Sequence, residues 1–119
     1  PSRDLPLAGS YDAGSQLLTI VWYSLSEGPA NYVNSQCGAQ TDPLDGDVVN
    51  SYNDGPADDG KVMGPFYEIE SSSPAALLSP GEEMRHTQRV FHISGDPMEL
   101  SAITQQLFHL ALDEITSVF

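Results

Sequence analysis

The run QLLTIVWYSL, residues 16–25, constrains this chain more than any other stretch. Its β-branched and aromatic side chains suit a pleated, packed surface, and it reads as a buried strand. Gly28 and Pro29 in SEGPAN break it. Residues 1–15, rich in Pro, Gly, Ser and Asp, read as a lead-in to that strand. Further strands are expected over 65–71 and over MRHTQRVFHI, 84–93, with YVNSQ (32–36) and DVVNSY (47–52) as shorter ones. Between 72 and 83, Pro74 and the Pro80-Gly81 turn punctuate the chain.

The tail changes period. GDPMELSAITQQLFHLAL opens with Asp96 at an N-cap, Pro97 at N1 and Glu99 at N3, which signals a helix start. Leu100, Ile103, Leu107 and Leu110 gather on one side and Met98, Ala102, Gln105 and His109 on the other. A helix is therefore expected over 96–110, while LDEITSVF fits no single pattern. Strands first and one helix last describe a mainly β fold: an antiparallel β-sandwich, or part of one, with a C-terminal α-helix packed on it. The length of 119 residues matches a single sandwich domain, 1–119, or a C-terminal fragment of a larger one.

Charge narrows the partners. The net charge is −13, and only Arg3, Lys61, Arg85 and Arg89 are basic. No basic patch can be assembled to replace phosphate counterions, which excludes nucleic acid. Docking on anionic lipid is excluded for the same reason, and no apolar run approaches the ~20 residues that span a bilayer. Neutral sugars, cations and basic peptides are compatible with the acidic excess. Cys37 is the only cysteine, so no internal disulfide forms and the compartment stays open. A lone thiol is more often a small packing residue than a nucleophile.

In GPFYEIESSSPA, Glu68 and Glu70 stand two apart in a strand and share a face with Phe66, while Tyr67 and Ile69 take the other. Two carboxylates about 7 Å apart are either a wet strand face or a pair placed for general-base work. On 84–93, His86 and His92 alternate with Arg85 and Arg89. If that strand neighbours 65–71, an Arg or His opposite Glu68 or Glu70 makes a cross-strand pair. Asp42, Asp45, Asp47, Asn50, Asn53, Asp54, Asp58 and Asp59 form an oxygen-rich loop. No cofactor is expected beyond calcium there, and the spacing does not match an EF-hand; ordinary turn chemistry explains the same residues.

The runs DGDVVNSYNDGP and MGPFYEIESSSPAALLSPGEEMRHTQRVFHISGD, with the helix ending LDEI, resemble the C-terminal part of an uncharacterised bacterial protein family. YEIESSSPAALLSPGEEMRHTQRVFHI is also similar in layout to the end of galactose mutarotase-like proteins. In those, a Leu-Glu-Thr strand, a Pro-bearing loop, a LxPGE turn and a strand ending in an aromatic follow one another. The counterparts are Ile69-Glu70-Ser71, Pro74, LLSPGEE and HTQRVFHI. The resemblance implies a supersandwich, of which this chain would be the last third, and makes Glu70 the candidate base that takes the anomeric proton. In that family the acid, a His, and the sugar-orienting Arg lie earlier in the sandwich and have no counterpart in this chain. Within the chain itself, Glu68 is expected to stand beside Glu70, His86 or His92 to substitute as the acid, and Arg89, Tyr67 and Asn53 to contact a neutral saccharide. The rival expectation is a non-catalytic structural or interaction module that self-associates through its sheet edges.

Overall fold

A computed structural model describes residues 5–36, 38–53, 55–56, 59–62 and 64–117. Arg3, Cys37, Asp54 and Asp58 lie outside these residues. The protein is mainly β, with five strands in two antiparallel sheets followed by two short helices. The chain divides into two compact units. One is built mainly from Tyr23–Gln88, the other from Leu7–Trp22 together with Arg89–Phe119.

In the second unit, β1 (Leu7–Asp12) pairs with β2 (Leu17–Tyr23) in a hairpin whose register runs from Leu7↔Trp22 to Asp12↔Leu17. The lead-in segment therefore contains a strand that was not expected. Its composition is poor in strand formers, but pairing with the most strand-like run in the chain outweighs local preference. The turn is closed by Asp12, whose carboxylate accepts from the Gly14 N–H at 2.9 Å and from the Ser15 hydroxyl. Those two donors hold the Asp12 carboxyl below its usual range, the Ser15 hydroxyl contributing most.

The third strand, β5 (Gln88–Ser94), lies on the other side of β2. It begins later than the expected residue 84. Ser24 accounts for the shortening: its N–H donates to the Thr87 carbonyl at 2.9 Å and its hydroxyl accepts the Thr87 N–H at 2.9 Å. A side chain thus takes the donor that would have continued the ladder.

The helix α1 (Pro97–Phe108) starts as its sequence requires, with the Asp96 carboxylate accepting the Met98 N–H at 2.8 Å. It ends at His109, which adopts a left-handed conformation at φ 59°. Leu110 consequently falls beyond the helix and is exposed rather than continuing the apolar stripe. The ambiguous tail forms a second helix, α2 (Leu112–Thr116), tied to α1 where the Ser101 hydroxyl accepts the Leu112 N–H at 3.2 Å. Leu18, Ile20, Leu100 and Leu112 make the core of this unit, with Leu7, Ile93, Ile103 and Leu107 packed around them. Each fully buried side chain of this kind contributes about 1.5–3 kcal/mol relative to exposure.

The other unit carries the two-stranded sheet, β3 (Val49–Asn53) against β4 (Tyr67–Ser71). Its pairs are Val49↔Ser71, Asn50↔Glu70, Ser51↔Ile69, Tyr52↔Glu68 and Asn53↔Tyr67. The expected strand at 32–36 reduces to one parallel bridge, Tyr32↔Asp45. The strand beside β4 is β3, and β5 neighbours β2 instead, so the anticipated cross-strand pairing of Glu68 or Glu70 with a residue of 84–93 does not occur. Among the described residues, no helix is long and apolar enough to cross a membrane.

Candidate functional site

The β3–β4 register decides which side chains meet. Residues directly opposite in an antiparallel pair share a face. Glu68 and Glu70 therefore stand with Tyr52 and Asn50, their partners across the ladder. The bridge at Tyr32 and Asp45 brings the segments around 34–36 and 45–47 to the same face. Together they enclose an open cleft of about 510 Å³, within the size range of small-molecule sites.

The wall opposite the carboxylates is internally fixed. Ser35 donates through its hydroxyl to Asn50 Oδ1 at 3.0 Å, and Asn50 Nδ2 donates to the Asp47 carbonyl at 3.3 Å. Asn34 Oδ1 accepts the Gln36 N–H at 2.9 Å. Gly46 donates its N–H to the Tyr32 carbonyl at 3.0 Å, and its backbone passes so near Val33 that a Cβ there would lie 2.2 Å from the Val33 carbonyl oxygen. Only glycine fits at that approach. Tyr52 is steadied by Phe66, with ring centroids 6.0 Å apart and planes tilted by 35°. Four carboxylates line the cleft: Asp45, Asp47, Glu68 and Glu70. No basic side chain lines it among the described residues. Glu68 and Glu70 are exposed, and neither carboxylate has a hydrogen bond or ion pair among those residues.

The remaining expected site residues are placed elsewhere. Strand alternation puts Asn53 and Tyr67, which pair with each other, on the sheet face opposite Glu68 and Glu70. His92 sits on β5 with its Nδ1 3.1 Å from the Thr19 hydroxyl. Arg89 lies over the Trp22 ring, 5.3 Å from its centroid, a cation–π contact. Both belong to the other compact unit.

His86 is held in a directed chain of hydrogen bonds. The Ser71 N–H and hydroxyl both meet Gln88 Oε1, at 3.1 and 2.5 Å, so the hydroxyl proton goes to Gln88. His86 Nε2, 2.8 Å from Ser71 Oγ, is then the donor, and Nδ1 accepts from the Ser24 hydroxyl at 3.3 Å. The neutral ring carries its proton on Nε2, and Ser71 is not activated as a nucleophile, since its own proton points away from the imidazole. Among the described residues, no group of three or more His, Cys, Asp or Glu side chains is arranged to hold a metal ion.

Strand alternation in the sequence puts Glu68 and Glu70 on one face, as the structure does, but does not give Asn50 and Tyr52 as their neighbours across the ladder. The i, i+2 spacing of those two in DVVNSYN was the available signal. Ser24, Ser71 and Gln88 carried no local signal, because their roles depend on contacts between distant segments.

Comparison with curated proteins and with solved structures gives no match to this chain. A family of unknown function, DUF6786, matches residues 1–119, and the protein belongs to that family.

Proposed function

We propose that the β3–β4 cleft binds a neutral, unphosphorylated saccharide. The observation that carries this reading is the lining: four carboxylates, amide groups from Asn34 and Asn50, one aromatic ring at Tyr52, and no described cation. Carboxylates accept hydrogen bonds from sugar hydroxyls, and such charge-assisted bonds are the stronger ones. The same carboxylates repel phosphate, which removes sugar phosphates from the candidate ligands.

The likeness of Ile69-Glu70-Ser71 and LLSPGEE to the end of galactose mutarotases supports the finer reading of the fold as a mutarotase-like sandwich. It also supports Glu70 as the base for proton transfer at an anomeric carbon. Such transfer requires an acid as well. No histidine lines the cleft among the described residues, so binding is the part of this function that the geometry supports best.

A two-dimensional amide NMR spectrum, titrated with glucose, galactose and mannose, tests it. Shifts are expected in 34–36, 45–52 and 67–71. Glu70→Gln is expected to weaken binding about tenfold, the value of one charge-assisted hydrogen bond. Polarimetric anomer interconversion separates the roles: acceleration lost in Glu70→Gln even at sugar concentrations that saturate the variant assigns the base. Spectra that ignore every neutral sugar would sink the proposal.

A further inference from the structure

We propose that the open edge of β5 is a strand-pairing surface, and that its partner is β5 of a second copy of this chain, joined antiparallel about a two-fold axis. This goes beyond the saccharide cleft and does not depend on it, since the cleft belongs to the other compact unit.

Three observations converge on this edge. First, β5 is the outermost strand of the order β1-β2-β5, and no described residue outside the sheet hydrogen-bonds to its main-chain groups; the Ser71 N–H and hydroxyl reach only the Gln88 side chain. An edge of this kind is a template for another strand. Second, apolar side chains are exposed on both faces. Val90 is 46% and Phe91 48% exposed, although they point to opposite sides. An ordinary wet-faced strand would bury one of them. Phe91 borders an open apolar groove of about 390 Å³ with Trp22, Ile93, Ile103 and Leu107. Third, QRVFHIS contains no acid, in a chain with 17 acidic and four basic residues. By contrast, β1 ends on Asp12, β4 carries Glu68 and Glu70, and β3 borders the carboxylate-lined cleft. Two copies with a charge of −13 each repel over most of their surface, and β5 is where that repulsion is weakest.

The sequence of β5 is compatible with a two-fold register centred on Phe91. Phe91 then faces Phe91, Val90 faces His92, Arg89 faces Ile93 and Gln88 faces Ser94. An aromatic pair forms at the centre, and aromatic cross-strand pairs are favourable. On the same face, Phe91 of each copy covers part of the other's groove. A two-fold contact uses the same patch twice and closes on itself, so the product is a dimer with a six-stranded sheet and not a fibre. One seven-residue strand pair is small beside the 1,200–2,000 Å² of roughly standard stable interfaces, so the dimer is expected to exchange with monomer as concentration changes.

Sedimentation equilibrium from micromolar to millimolar protein is the test, with amide exchange read at both ends of the range. The mass is expected to rise from monomer towards dimer, and β5 amides are expected to exchange more slowly in the dimer. Val90→Lys places a charge on the edge beside Arg89 and His92 and is expected to stay monomeric throughout. Val33→Lys, at a still more exposed apolar site in the other unit, is expected to associate like the parent. Circular dichroism at low concentration checks that both variants fold. A parent that stays monomeric at millimolar concentration overturns the proposal. So does a folded Val90→Lys that associates normally, a species growing beyond the dimer, or association that leaves β5 exchange unchanged.

Discussion

Tyr23 has no exposed surface, and its hydroxyl meets no hydrogen-bond partner among the described residues. Burial pushes its phenol above the usual value, and the charge of Tyr32 pushes in the same direction. The phenolate is therefore easier to form in the unfolded chain. The stability tied to this group is complete below the unfolded value of about 10 and is lost as pH rises through the higher folded value. Tyr23→Phe keeps the ring and removes the unpaired oxygen. It is expected to raise stability by roughly 1 kcal/mol at neutral pH and to flatten the alkaline decline. Urea unfolding at neutral pH and above pH 10 measures both effects. A destabilised variant would mean that the hydroxyl is hydrogen-bonded in solution. Nothing in QLLTIVWYSL distinguishes Tyr23 from a tyrosine whose hydroxyl reaches solvent, because strand alternation gives the face of a side chain but not what covers its tip.

At the scale of elements, what the sequence made legible follows from locality. The strand at 16–25, the acidic pair on β4, and the helix start at Asp96-Pro97 are each encoded within a few residues, and the structure contains all three. The pairing of those elements is not local. The β1 strand exists because β2 lies beside it, and β5 pairs with β2 instead of β4. Half of the cleft was hidden for that reason. Glu68 and Glu70 were visible as a pair, but the wall facing them depends on the bridge between Tyr32 and Asp45, residues that the sequence gives no reason to bring together. Gly46 is the hinge of that wall. A methyl group there would lie 2.2 Å from the Val33 carbonyl oxygen and 2.7 Å from the Asn34 nitrogen, both backbone atoms that cannot rotate away. Gly46→Ala is therefore expected to displace 33–34 and lower any saccharide affinity of the cleft at least tenfold, a cost typical of strain at a site with no room to relax. Amide shifts should be confined to Tyr23–Gln88. Unchanged affinity would show that the 34–36 wall does not touch the ligand.

The whole molecule distributes its burial unevenly between two units that interleave along the chain. Leu18, Ile20, Leu100 and Leu112, the buried cluster, all belong to Leu7–Trp22 and Arg89–Phe119. In the other unit neither β3 nor β4 contains a fully buried residue, and the two ion pairs described there, Lys61–Asp59 and Arg85–Glu83, are surface pairs of the kind that contribute little. Local opening requires least free energy where few apolar contacts must be broken. Amides of β2 and α1 are therefore expected to exchange only through global unfolding, whereas those of β3 and β4 should exchange through a smaller opening at lower free energy. Native-state hydrogen exchange in increasing denaturant, at a concentration that keeps the protein monomeric, separates the two. If all four elements converge on one free energy from the outset, the chain unfolds as a single cooperative body. If β3 and β4 open first, the carboxylate-lined cleft is the less stable part of the molecule. A saccharide that binds it should then raise the opening free energy of β3 and β4 while leaving that of β2 and α1 unchanged, until the two meet.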